Sequence, residues 1–371
     1  MKKHYICAAL TAASLASPLA ARADGAALSG TEVQIYGVVD AGVAVTNVSG
    51  VGSRSGMLNG GLTDSLWGLR GREDLGDGWS ARFQLENGFD PSTGRQADDR
   101  SLFNYGAWVG LGHDDLGELR LGRQYTVGKT YGNALEIASW KEMGMGATFK
   151  ASDNYQFSNL VNYYTPEWQG WQAGIGYSFD ADAQGKFRTN ANNRALSLGL
   201  KYEDGPLLAV ATWDQMRLAQ PPQGIQGRPQ ALQLGASYDF EVLKVSAAWS
   251  RQRNGYVGLD GGDPDNLGQN LGPAAFAAGG TVNAWLLGVS VPLGRGTVLA
   301  QWSLAKPDWQ WADGMTARKA QLMTLGYTYE LSKRTTVYAF AGYASNYTLD
   351  NQFDPGNSHT TRFATGVTHR F

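Results

Sequence analysis

Charged residues recur at alternating positions inside apolar stretches of this sequence, and that spacing limits the chemistry they can do. Arg70, Arg72 and Asp74 stand opposite Trp67 and Leu69; Arg82, Gln84 and Glu86 alternate with Ala81, Phe83 and Leu85; Glu118 and Arg120 alternate with Leu119 and Leu121. Residues two apart share one face of an extended strand, so cations and carboxylates line up in file on one side of each segment. Opposed charges of this kind make a field that sorts solutes by charge and size, and nothing in their spacing activates a nucleophile. The segment 126–155 adds Glu136 and Glu142, with Lys129 and Lys141 beside them. No Ser-His-Asp spacing, phosphate-binding loop or His/Cys cluster is present: the four histidines (His4, His113, His359, His369) are scattered and Cys7 stands alone. We therefore expect no enzyme, no cofactor and no metal centre. The oxygen-rich run Asp260, Asp263, Asp265 and Asn266 could take Ca²⁺, against the simpler reading of a solvated surface loop.

The elements that position these charges begin after an export signal. Residues 1–23 open with Lys2, Lys3 and His4, continue as an Ala/Leu-rich run and close on Ala21-Arg22-Ala23, the pattern of a cleaved secretory peptide. Its apolar run is shorter than the ~20 residues of a spanning helix. Cys7 lies inside it, so the mature chain, 24–371, forms no disulfide. Of 31 basic residues, Lys2, Lys3 and Arg22 leave with the signal, so 28 face 33 acidic residues and the net charge is −5. No basic patch dominates, which argues against nucleic acid as a partner. No later stretch reaches the ~18 continuous apolar residues of a membrane helix.

Periodicity then decides the class. Trp171, Ala173, Ile175, Tyr177 and Phe179 alternate with Gln172, Gly174, Gly176, Ser178 and Asp180. The same period of two runs through 196–203, 243–250 and 298–304, the signature of strands with one apolar face. The apolar faces end repeatedly in Trp, Tyr or Phe, as at a membrane interface. Short turns at Gly76-Asp77-Gly78, 114–117, 203–206, 294–296 and 332–334 alternate with long polar connections. Those lie near 49–62, 91–101, 126–155, 181–193, 217–229, 255–281, 306–317 and 347–359. These observations predict one domain, all-β, built as a 16-stranded antiparallel transmembrane β-barrel. A barrel of that size leaves an aqueous channel. Closure requires the last strand, Thr361–Phe371, to pair with the first, Val33–Asn47, because lipid cannot satisfy an open edge.

The motifs VQIYGVVDAGV, SLWGLRGREDLGDGWSARFQLENGFD, AWVGLGHDDLGELRLGRQY and the ending GVTHRF resemble those of β-proteobacterial general porins, in the family's order along the mature chain. The resemblance implies an outer-membrane homotrimer in contact with lipid, passing small polar solutes and ions by diffusion. It also implies that the third long loop, 126–155, folds into the pore, and that the terminal Phe371 is read by the barrel-insertion machinery. Alternation places Arg70, Arg82 and Arg120 on the pore wall, with a strand-end position bordering headgroups as the competing placement. Glu136 and Glu142 would face them across the constriction. Tyr131, Trp140, Met143, Met145 and Phe149 read as anchors of that loop, ahead of a solute-stacking role. Related porins carry wall arginines where this chain has Leu66, Tyr105 and Gln156, so weak ionic selectivity is expected and Tyr105 adds bulk without charge. Arg123 shares a face with Leu119 and Leu121, which points it outward, toward a neighbouring subunit's Asp98 and Asp99 or toward headgroups.

Two other classes compete with this reading: a secreted soluble all-β binding module, and an outer-membrane barrel enzyme or substrate-preferring channel. Heat-modifiable migration in detergent gels separates the soluble module from any barrel. Phe371 supplies a further test. Its deletion, or replacement by a charged residue, should leave unfolded chain in the periplasm, and normal outer-membrane levels by cell fractionation would refute its role.

Overall fold

The computed structural model describes residues 31–50, 52–99, 101–140, 143, 156–181, 183, 191–220, 227–254, 280–308, 318–346 and 359–371. The expected export signal, 1–23, and the oxygen-rich run 260–266 lie outside them. The first strands are β1 (Thr31–Val48), β2 (Gly52–Asn59), β3 (Leu66–Gly76), β4 (Trp79–Gly88), β5 (Gly106–His113) and β6 (Gly117–Gln124). A short helix α1 (Val127–Gly132) and a 3-10 turn (Asn133–Leu135) follow, then β7 (Phe157–Tyr164), β8 (Trp171–Ser178), β9 (Arg194–Asp204) and β10 (Leu207–Arg217). The chain continues through β11 (Gln230–Asp239), β12 (Lys244–Arg253), β13 (Thr281–Leu293) and β14 (Gly296–Pro307). It ends with β15 (Ala320–Glu330), β16 (Thr335–Ser345) and β17 (His359–Arg370).

These segments form one antiparallel sheet that closes on itself through β1 and β17. The 17 segments make 16 staves, because β2 and β3 share one side of β1: β2 pairs with Ala41–Val48 and β3 with Thr31–Val38. The expected loop over 49–62 is thus corrected. Most of it is strand β2, and the chain leaves the wall instead at 60–65, between β2 and β3. The closing seam runs from Val38↔Arg370 to Val48↔Thr360. The N-terminal half of β1 was expected in that seam, but it pairs with β3. Phe371 extends the seam by one step, exchanging backbone hydrogen bonds with Gly37 at 3.0 and 3.2 Å.

Alternation gives the wall two solvents. Val39, Val43, Val45, Leu198, Leu200, Leu234 and Leu287 are exposed on the outer face, whereas Thr46, Ser197, Gln233, Ser246 and Ser303 are buried on the inner one. Trp171 and Tyr202 meet at 4.8 Å, and Tyr238 and Phe240 at 4.6 Å, near the short-turn rim. Trp249 and Trp285 pair across β12 and β13 toward the other rim. Two such girdles bracket an apolar band, as the bilayer interfaces demand.

Inside the barrel, the excursion 60–65 is tied to one carboxylate. Asp40, fully buried on the inner face of β1, accepts from the backbone N–H groups of Gly61 (2.8 Å), Leu62 (3.2 Å) and Thr63 (3.3 Å). It also accepts from the Tyr338 hydroxyl at 2.7 Å and from the Thr368 hydroxyl. A buried carboxylate is tolerable here because its lone pairs are taken by donors from three strand-linked regions. Asp40→Ala would strand those donors at a cost of about 3 kcal/mol. The detergent-solubilised barrel should then unfold at a clearly lower temperature, and a shift no larger than that of Val39→Ala would assign the excursion another anchor.

Candidate functional site

The inner wall carries two charged clusters on neighbouring strands. In the first, Arg70 of β3 donates from Nε and Nη2 to Gln34 Oε1 at 2.8 and 2.6 Å, and its guanidinium lies 4.9 Å from the Tyr36 ring centroid. The Tyr36 hydroxyl donates to Glu86 Oε2 at 2.6 Å, while Gln84 Nε2 donates to the same carboxylate at 3.0 Å and to the Tyr36 oxygen at 2.7 Å. In the second, Arg82 and Arg120 share Glu118 Oε2 at 3.5 and 2.8 Å. Arg120 is sandwiched between aromatic faces, 4.7 Å from Trp108 and 5.1 Å from Tyr164. Stacking and bidentate bonding suit the planar guanidinium and hold it in one orientation. A cavity of about 250 Å³ beside this cluster is lined by Arg82, Glu118, Arg120, Tyr131, Tyr164 and Gln172 among others.

Residues 126–140 and 143 lie against lumen-facing side chains of β8 to β16. Thr126 caps α1 by accepting from the Lys129 N–H at 3.1 Å. The Gly128 N–H donates to Ser197 Oγ at 2.9 Å, and Gln233 Nε2 donates to the Gly132 carbonyl at 3.3 Å. Gln301 Oε1 accepts from the N–H groups of Ile137 and Ala138 at 3.1 and 3.2 Å, and the Thr324 hydroxyl donates to the Met143 carbonyl at 2.7 Å. Ser139 donates to the Leu62 carbonyl at 3.3 Å, joining this segment to the excursion held by Asp40. Close approach needs small wall residues: a Cβ at Gly199 would come within 2.6 Å of both Tyr131 and Val127. Trp140 lies 5.2 Å from Phe340 with the ring planes tilted by 33°, and Trp140, Met143 and Tyr131 are all buried. Met145 and Phe149 lie outside the described residues. Burial, with Tyr164 alongside, raises the Tyr131 phenol pKa above its ordinary value; the neutral hydroxyl donates to Gln172 Oε1 at 3.0 Å.

The other residues singled out from the sequence fall as follows. Leu66 pairs with the buried Val38 on the inner face, and the Tyr105 ring lies over Gly88 at the inner face of β4. Gln156 is buried at the start of β7. Arg72 is exposed near the short-turn rim. Glu136 follows the 3-10 turn and is half-buried; Glu142 and Lys141 lie outside the described residues. Arg123 sits at a bulge, where Gly122 adopts φ +136° and the β6–β7 register shifts. Its Nε donates to the Asn104 carbonyl at 2.7 Å and its Nη1 to Ser158 Oγ at 2.9 Å. Sequence reasoning passed over Asp40 and Gln301. Asp40 sits at an inward position between Val39 and Ala41, so the alternation that found Arg70 could have flagged it. Gln301 has no such signal, because its partner comes from a segment more than a hundred residues away.

Comparison with known proteins agrees with this architecture. The Gram-negative porin family matches residues 8–349. An outer membrane porin protein of Bordetella pertussis is 36% identical over 96% of this chain and 99% of its own length. Outer membrane porin protein 32 of Delftia acidovorans is 32% identical over 93% of this chain and 90% of its own. Among solved structures, an anion-selective porin from Comamonas acidovorans superposes with a TM-score of 0.73 at 27% identity, covering 92% of this chain and 100% of its own. A closed barrel with a polar, charge-lined interior and full-length porin relatives has one reading: the chain is an outer-membrane diffusion channel of the Gram-negative porin family.

Proposed function

We infer that this porin passes small hydrophilic solutes and ions with weak ionic selectivity, through a constriction formed between the β3–β6 wall and the segment 126–155. The observation that carries the reading is the charge content of that region. Arg70, Arg82 and Arg120 stand with Glu86, Glu118 and Glu136, and Glu142 adds a further carboxylate from the same segment. Ion pairs such as Arg120–Glu118, at 2.8 Å, cancel much of each other's field at a distance. Leu66, Tyr105 and Gln156 add none. A second reading, anion preference, is favoured by the likeness to the Comamonas porin described as anion-selective. The reversal potential of purified protein in a planar bilayer under a KCl gradient decides between them, and strong anion selectivity would refute the balanced constriction. Tyr105→Arg should raise anion preference, since an added charge in a narrow low-dielectric passage is poorly screened. Glu136→Gln together with Glu142→Gln should shift it in the same direction.

The homotrimer rests on the family resemblance, as do export through residues 1–23 and recognition of Phe371 during insertion. Arg123, beside its bonds to Asn104 and Ser158, is the proposed subunit contact, with Asp98 and Asp99 of the neighbour as acceptors. Removing one partner of a part-buried charge pair leaves the other uncompensated. Arg123→Glu should therefore lower the temperature at which trimers dissociate in mild detergent. Ser158→Ala, which removes only a bond within the subunit, should leave it unchanged; equal behaviour of both variants would locate the role of Arg123 within its own barrel.

A further inference from the structure

Between α1 and the short-turn rim, the inner wall of β4 to β8 holds the cavity of about 250 Å³ that adjoins Arg120. Thr130 and Tyr131 of α1 line one side of it, and the turns β5–β6 and β7–β8 bring Asp114 and Glu167 to the other. Its polar lining is fixed by the protein's own bonds. The Tyr131 hydroxyl donates to Gln172 Oε1 at 3.0 Å, and Gln172 Nε2 donates to the Thr165 carbonyl at 3.3 Å, which ties the helix to the wall beside the cavity. Arg120 is held by Glu118 and by the Trp108 and Tyr164 rings. Groups already held in place lose little side-chain freedom when a solute binds.

The charges of this lining are unequally shared. Arg82 and Arg120 both bond to Glu118 Oε2, through Nη1 and Nη2 respectively, so two guanidinium groups face one carboxylate and one positive charge is left over. Arg82 Nη2 and Arg120 Nη1 have no protein partner among the described residues. Asp114 and Glu167 are exposed, and neither forms an ion pair among those residues. The cavity thus has a cationic end at the wall cluster and an anionic end at the rim. One carboxylate on a solute satisfies the first, because the guanidinium fork matches its geometry. A second carboxylate would be repelled by Asp114 and Glu167, whereas an ammonium would be attracted. Neither acid belongs to the segment 126–155, so this polarity runs from wall to short-turn rim and not across the constriction.

We propose that this cavity is a binding subsite for small zwitterionic solutes that carry one carboxylate and one ammonium group, as amino acids do. The carboxylate lies against Arg82 and Arg120, and the ammonium lies toward Asp114 and Glu167. The subsite rests on the diffusion-channel reading and deepens it, since it retains zwitterions longer than simple ions of the same size.

The test records single channels of the purified protein in a planar bilayer with KCl on both sides at neutral pH. γ-Aminobutyrate, butyrate, butylammonium and succinate, similar in length, are titrated as probes, and binding is read as interruption of the KCl current. γ-Aminobutyrate should interrupt the current at a concentration at least about tenfold lower than any of the other three. Asp114→Asn with Glu167→Gln, at exposed positions, should bring γ-aminobutyrate to the level of butyrate and strengthen the action of succinate. Arg82→Gln should instead bring it to the level of butylammonium. Heat-modifiable migration and the KCl conductance without probe report folding and an open channel. If Arg82→Gln fails to fold, the double variant alone decides. With an intact channel, three results would overturn the proposal: equal action of all four probes, succinate as the strongest, or an unchanged advantage of γ-aminobutyrate in the double variant. Absence of KCl conductance in the unaltered protein would instead refute the channel, and the subsite with it.

Discussion

Every backbone N–H and C=O inside a hydrocarbon layer needs a partner from the protein, and the seam between β1 and β17 meets that demand for the whole wall. With eleven residue pairs from Val38↔Arg370 to Val48↔Thr360, the seam leaves the sheet no free edge. Gly37 and Phe371 carry the ladder one step further. Once the sheet is closed, alternation leaves each side chain only two destinations, lipid or lumen. The placement of Arg70, Arg82 and Arg120 then follows from parity, since a charge at mid-bilayer costs about 2–4 kcal/mol on the lipid side.

The lumen is organised by polar groups rather than by an apolar core alone. Asp40 gathers the 60–65 excursion, Tyr338 and Thr368 onto one carboxylate. Ser139 connects that excursion to the segment starting at Thr126. Gln233, Gln301 and Thr324 then hold the segment's backbone along the far wall. The N–H groups of Gly128, Ile137 and Ala138 and the carbonyls of Gly132 and Met143 are thereby paired with wall side chains, as buried backbone requires. The apolar anchors Trp140 and Met143 secure the same stretch against β16.

Charge is treated differently on the two faces. Inside, each arginine is confined: Arg70 by Gln34 and Tyr36, Arg120 by Glu118, Trp108 and Tyr164. On the outer face Arg194 and Arg217 stand directly opposite each other across β9 and β10.

The sequence by itself determined the strand class, the closed barrel of 16 staves and which residues of each strand share a face, because a period of two and alternating turn lengths are local properties. It also marked the family through motifs that run in order along the chain. Tertiary structure alone decided where the wall breaks. The run 49–62 reads as a long polar loop, yet β2 occupies Gly52–Asn59 of it, because β1 offers a pairing edge from Ala41 to Val48. The bonds Arg123 makes within its own barrel were equally hidden: the Gly122 bulge brings its guanidinium to Asn104 and Ser158, contacts that a strand count does not indicate. The hub at Asp40 joins residues as distant in sequence as Thr368, and the Arg194–Arg217 opposition depends on a register between two strands. Such contacts are set by which strands close beside one another, information that no local window of sequence contains.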